Sequence, residues 1–171
     1  FYYPCITCLT KTLMSDSTHA PPKRRNSLGD ISVLYVSALM RAAEAEGANS
    51  TELASRFQLD QQTLTSPEAR ISIPRFMRLG HAAIHETGNP ALGLRMGALS
   101  RPVDAGIAGL AGETASTAGA AISTLIRYAL LTSRNSRGVP TVRPDLRQAQ
   151  FYSIRPYNGF NYFVVDSVLA A

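Results

Sequence analysis

From residue 31 onward, apolar positions recur with a helical period along most of the chain. In "ISVLYVSALMRAAEAE", residues 31–46, Ile31, Leu34, Ala38 and Ala42 fall on one face, with Tyr35 and Leu39 beside them. Asp30 is placed to cap that helix and Gly47 to end it. "NSTELASRFQL" opens with Asn49 and carries Glu52 three residues later, an approximate capping box for a second helix. A short third helix follows Asp60. "ARISIPRF" reads as a brief extended segment, because Pro74 restricts Ile73. Pro74 then occupies the first turn of a helix running to Thr87, which Gly88 stops. On that helix Phe76, Leu79, Gly80, Ala83 and Ile84 form the apolar face. Asn89-Pro90 caps and starts another helix, to about Leu99.

The pattern loosens afterwards. Gly106, Gly109 and Gly112 are spaced three apart, which predicts tight helix packing or a turn rather than a phosphate loop. Ser116 or Thr117 caps a helix over 118–133, whose buried face is expected to carry Ile122, Leu125, Ile126, Ala129 and Leu130. "SRNSRG" is a loop, and short strands follow near 139–143 and 149–155. "FNYFVVDSVLAA" is ambiguous between strand and helix. The expected fold is a mostly helical α+β single domain, a helical bundle with a small sheet drawn from 71–73, 139–143 and 149–155.

Composition adds boundaries. The 171 residues are enough for one domain with a core of its own. Residues 1–30 read as a flexible leader, rich in Pro, Ser and charge, and residues 1–13, ahead of Met14, are set apart as an upstream addition. Of the net charge of +5, Lys11, Lys23, Arg24 and Arg25 against Asp16 and Asp30 place +2 in the leader. The remainder is too mildly basic to argue for nucleic-acid contact by this chain. "PPKRR" reads as a solvated tail. The opening stretch is no convincing signal peptide, and no apolar run is long enough to span a bilayer. Cys5 and Cys8 form a lone CxxC without a second pair, so they read as incidental thiols in a reducing, cytoplasmic setting.

Candidate chemistry is sparse. His81 and His85 lie four apart on one helical face, a metal-site spacing. Arg78 stands beside them, a third ligand is missing and Glu86 points about 100° away, so they are expected on a solvated face with no metal bound. Neither a GxSxG elbow nor a pair of carboxylates on one face is present, which leaves no catalytic set and argues against a small enzyme. The C-terminal third instead gathers Tyr128, Tyr152, Arg155 and Tyr157. These are the candidate ligand-binding residues: a pocket between the helix carrying Tyr128 and the strand carrying Tyr152 and Arg155 would suit a small polar or anionic molecule, with Arg155 forking to a carboxylate. Nothing points to a cofactor.

The order of motifs resembles a known family. "ALMRAAEAEGANSTELASRFQLDQQTL" and then "SPEARISIPRFMRLGHAAIHETGNPALGLRMG" are similar to the N-terminal arabinose-binding-like domain of AraC-family bacterial transcription regulators, with "TGNPALGLRMG" the most diagnostic stretch. The resemblance runs over about residues 31 to 170. It implies an effector-sensing and dimerising module that acts as a homodimer, binds a small molecule and controls a C-terminal helix-turn-helix domain, which alone would contact DNA. That second domain is expected after residue 171, and the apolar ending of the chain reads as a cut. A dimerisation module without a ligand is the alternative.

Overall fold

The computed structural model describes residues 28–143, 145, 148–152 and 158–171. Element order follows the hydrophobic pattern closely as far as residue 98. Strand β1 (Gly29–Ser32) leads directly into helix α1 (Val33–Ala45), followed by α2 (Ser50–Arg56), α3 (Gln61–Thr65), β2 (Arg70–Ser72), α4 (Ile73–Thr87) and α5 (Leu92–Ala98). A 3-10 turn over Pro102–Ala105 precedes α6 (Gly106–Glu113) and α7 (Ala118–Arg127). A second 3-10 turn at Ala129–Leu131 leads into strand β3 (Ser133–Asn135). Strands β4 (Thr141–Arg143) and β5 (Gln148–Gln150) and helix α8 (Tyr162–Ala170) complete the described chain. The result is a compact α+β domain, mostly helical, with small antiparallel sheets.

Local chemistry fixes the helix starts. Asn49 accepts from Glu52 N–H at 3.1 Å and Thr117 from Ala120 N–H at 3.2 Å, so both expected caps form. Asp60 accepts from Thr63 N–H at 2.7 Å, and α3 follows it as expected. Helix α4 carries Pro74 in its first turn and ends at Gly88 in the left-handed region (φ 64°). Its inner face is Phe76, Leu79, Gly80 and Ala83, all buried, with Ile84 half-buried.

Three expectations are corrected. Asp30 does not cap α1. The chain stays extended through Ser32, whose hydroxyl accepts from Leu34 N–H at 3.3 Å, and Asp30 instead forms an ion pair with Arg70. Extension wins here because β1 is the middle strand of the order β2-β1-β3, so its backbone is paired on both sides. The register places Asp30 opposite Ser72 and Arg134. The expected single sheet also divides: β2 belongs with β1 and β3, while among the described residues β4 and β5 pair with each other. Strands β1 and β3 were not anticipated, being short and partly polar. Finally, Asn89 does not start a helix directly. Its side chain accepts from Ala91 N–H at 2.8 Å, a local turn that delays α5 to Leu92.

The core is built by α1, α4 and α5 around Val33, Val36, Leu39, Phe76, Leu79 and Leu92. Helix α8 supplies Phe163, which is fully buried and meets Phe76 with ring centroids 5.6 Å apart. Two glycines make room for it. A Cβ on Gly80 would lie 2.0 Å from the Phe163 ring, and one on Gly93 would lie 2.3 Å from the Phe163 carbonyl oxygen. Further along, Gly97 lets the end of α8 approach equally closely, with Ser167 O at 2.6 Å from a built Cβ. The ambiguous C-terminal segment is therefore a helix, because α5 offers a glycine-lined surface that only a close-packed helix fills.

The expected 118–133 helix stops at Arg127 and turns over before β3. Of its supposed inner face, Ile126 is buried, but Ile122 and Leu130 are each nearly half exposed. The expected Gly106-Gly109-Gly112 packing is present: a Cβ on Gly109 would fall 1.7 Å from Pro102 O, so α6 lies directly against the preceding turn. That turn is tied to α1 by Asp104, a buried carboxylate bonded to the Arg41 guanidinium and accepting from Arg101 N–H at 2.8 Å.

Two stability consequences follow. Phe163→Ala should cost about 3–5 kcal/mol, and Gly93→Ala should lower stability comparably by forcing backbone off backbone. Urea unfolding of both variants checks this, and a loss under about 1 kcal/mol would deny α8 its place in the core. The Thr63 hydroxyl and then its N–H hold the Asp60 carboxyl below its ordinary value of 3.8. Its contribution to capping is thus complete above the unfolded value and is lost as pH falls through the lower folded one. NMR titration of Asp60 should show that depressed midpoint, and Thr63→Ala should move it upward.

Candidate functional site

The described surface carries hollows of two kinds, one open and one deeper. The larger, about 470 Å³, is an open groove over α2 and α3, lined by residues such as Thr51, Gln58 and Gln61. The smaller, about 330 Å³, is deeper and better enclosed. Its floor is core: Ile31, Ile73, Phe76, Met77 and Met96, all buried. Helix α8 walls one side with Val164, Val165, Ser167, Val168 and Leu169, and Tyr35 of α1 contributes from beneath. Ser133, Asn135 and Gly138 form the opposite wall, with Phe151 and Tyr152 beyond the end of β5. A cavity with a rigid apolar floor and a few polar groups on its walls is the usual form of a small-molecule site, so the enclosed hollow is the candidate.

The polar side chains around it are mostly engaged. Asn135 donates through Nδ2 to Tyr152 O and accepts at Oδ1 from Arg137 N–H at 2.9 Å. The Tyr35 and Thr132 hydroxyls share a hydrogen bond of 3.3 Å. Ser167 Oγ donates to Val164 O at 2.8 Å within α8. Ser133 and Tyr152 are the exceptions: among the described residues neither hydroxyl makes such a bond. The Tyr152 ring packs over Gly138, where an added Cβ would meet it at 2.9 Å, so the ring is held in place by the loop.

The sequence candidates separate on this geometry. Tyr152 lines the cavity. Tyr128 ends α7 and is 47% exposed, outside the lining, although its neighbour Ala129 belongs to it. Arg155 and Tyr157 lie outside the described residues. The cavity that Tyr152 lines is bounded by residues of α4, α5 and α8 as well as by Ala129, next to Tyr128. Sequence reasoning missed Phe151, Met77, Met96 and the α8 valines; only their apolar character signalled burial, and nothing in their spacing distinguishes a cavity wall from a core.

His81 and His85 are both exposed on α4, as expected. His81 stacks on Phe160 with ring centroids 4.8 Å apart and planes 17° apart, a contact the sequence did not suggest. Glu86 pairs with Arg56 at 2.9 Å and is committed to bridging α4 and α2. Among the described residues, no three His, Cys, Asp or Glu side chains are grouped as a metal site would need. No described helix is long and apolar enough to cross a membrane.

With this geometry in hand, the comparison with known families is decisive. The profile of the arabinose-binding domain of AraC transcription regulators, N-terminal, matches residues 47–171, well over half of the chain and most of the cavity lining. The chain belongs to this family. No individual curated protein matches it. The family is that of a regulatory ligand-binding domain. The match also includes α5 and α8, the pair whose close packing closes one side of the cavity in this domain.

Replacing both His81 and His85 with Ala should change stability by no more than about 1 kcal/mol, the loss coming from the His81–Phe160 stack. Thermal unfolding of the double variant and of His85→Ala alone checks this. A large loss in His85→Ala would reveal a role that the exposed face does not explain.

Proposed function

We propose that this domain senses a small-molecule effector and, as a homodimer in the cytoplasm, controls DNA binding by a helix-turn-helix domain that follows it in the full-length regulator. It is a regulator, not an enzyme. The observation that carries the reading is the match to the AraC-regulator domain, and the partly enclosed cavity, lined mostly by matched residues, supports it. Tyr152 is the proposed effector contact supported by that cavity, whereas Tyr128, Arg155 and Tyr157 stand as proposals on sequence grounds alone. Dimerisation is supported by apolar side chains on the outer surface: Ile107 is 78% exposed and Leu131 57%, with Leu110 and Ile122 also exposed. Exposed apolar side chains of this size favour association where they are contiguous.

A thermal-shift screen of amino acids, fatty acids and signalling metabolites tests the sensor reading, since a ligand held by the native state raises its stability by mass action. A true effector should stabilise the domain and also change operator affinity of the full-length protein. Sedimentation equilibrium tests the dimer: Ile107→Glu with Leu131→Glu should weaken association at least tenfold while leaving the unfolding transition in place. Dimers without any stabilising effector would favour a ligand-free dimerisation module, and a monomeric full-length protein would remove the homodimer.

A further inference from the structure

The stretch from Ala129 to Asn135 has two sides. Inward, Ala129, Ser133 and Asn135 line the cavity, and so does Ile31, the register partner of Ser133 on β1. Outward, Leu130 and Leu131 are nearly half exposed and more than half exposed. Between the two sides lies Thr132, which is buried. Its hydroxyl donates to Ala129 O at 3.4 Å. A hydroxyl carries one proton, so it accepts from the Tyr35 hydroxyl 3.3 Å away, and Tyr35 lines the cavity from α1. The Thr132 methyl lies against the start of α6, where a Cβ built on Gly106 would be 3.5 Å from Thr132 Cγ2. The next residue of α6 is the exposed Ile107. The Thr132 carbonyl accepts from Ser32 N–H at 2.7 Å, which holds this stretch to β1. One buried residue thus touches a cavity-lining tyrosine, the central strand and the helix that carries part of the outer apolar surface.

We propose that Thr132 couples the cavity to self-association: a molecule held against Tyr35, Ala129 and Ser133 fixes the 129–132 turn and the start of α6 in the arrangement on which a second copy docks, so occupancy of the cavity strengthens the dimer. The proposal rests on the effector reading of the cavity and on the homodimer reading of the outer surface, and it deepens both. The turn is short and tightly bonded, with Leu131 N–H donating to Tyr128 O at 2.9 Å and Thr132 N–H to Ala129 O at 3.1 Å. A shift at Ala129 or Ser133 is therefore carried to Leu130 and Leu131 before the chain can absorb it. A segment already ordered by a molecule on its inner side costs less to order again on its outer side. By linkage, the dimer holds that molecule more tightly by the same factor.

A tethered probe imposes occupancy on the intact chain. In a Cys5→Ser/Cys8→Ser background, Val168→Cys puts a thiol on the α8 wall of the cavity, and butyl methanethiosulfonate then attaches a butylthio group there. Sedimentation equilibrium should show the dimer dissociation constant falling at least about fivefold on capping. The same cap on Gln62→Cys, exposed on α3, should leave it unchanged. Without any probe, Tyr35→Phe and Thr132→Val should each weaken association severalfold, and the two together no more than the stronger of them, because both remove the same bond. A bond with a purely structural role would lower Tm and leave the dissociation constant alone. This cycle decides the matter if Val168→Cys does not fold. A cap that leaves the dimer unchanged or weakens it, a cap that acts equally from Gln62→Cys, or a dissociation constant that ignores Tyr35→Phe would each overturn the coupling, with the dimer and the effector cavity still standing. A chain that stays monomeric at every concentration, capped or not, would overturn the homodimer reading and the coupling with it.

Discussion

The contact on which the rest depends is Phe163 seated between Gly80 and Gly93. One large side chain fills a space made by the absence of two small ones, and it ties the last helix to the middle of the domain. Without it, α8 would retain only the approach of Gly97 to its end and the partial burial of its valines. With it, α8 lies with its backbone close against α5, and the cavity is lined along α8. The same glycines that admit Phe163 therefore set the position of the α8 wall. The attachment is made by shape, with no ion pair joining α8 to α5 among the described contacts, so volume and not charge decides whether it holds.

Charge works elsewhere in the domain, at the joints between elements. Asp104 bonds to Arg41 and Arg101, fixing the turn before α6 against α1. Arg70 bonds to Asp30 and, at 2.7 Å, to Leu131 O, clamping β2 to β1 and to the turn before β3. Glu86 with Arg56 and Glu46 with Arg95 join helices at the surface, where such pairs contribute little individually. The division leaves the core cluster apolar, and the cavity floor is drawn from it.

The helical half of the fold was legible because strong local signals agreed with one another. Asn49, Asp60, Pro74 and Gly88 act within a few residues of themselves, and the α4 apolar face needs only its own periodicity. What was hidden depends on distant partners. Asp30 and Ser32 are both competent caps, and only the two neighbouring strands make Ser32 the one used. Ile122 and Leu130 have core-like spacing, but the chain turns away after Arg127 and leaves them outside. Of the candidate site, Tyr152 was reachable as an aromatic in a loop-rich segment. Met77 and Met96 were not, because a cavity is a gap between elements, and its existence depends on Phe163 meeting glycines more than sixty residues earlier. The family resemblance was readable from "TGNPALGLRMG", and the structure gives that stretch a physical reason: it contains both Gly93 and Gly97 against which α8 packs.

The position of β1 has a kinetic consequence. The strand lies at the start of the described chain, yet it is flanked by β2, some forty residues on, and by β3, about a hundred residues on. The Ser32 N–H to Thr132 O bond, at 2.7 Å, closes the same long loop. Closing a loop of that length costs entropy before any pairing returns it. The helices between can form on their own local signals, so the three-stranded sheet is a closing step of assembly and not its nucleus. Once closed, it ties the opening of β1 to the release of the chain after α7, so exchange of the Ser32 amide would report on the closure of that long loop.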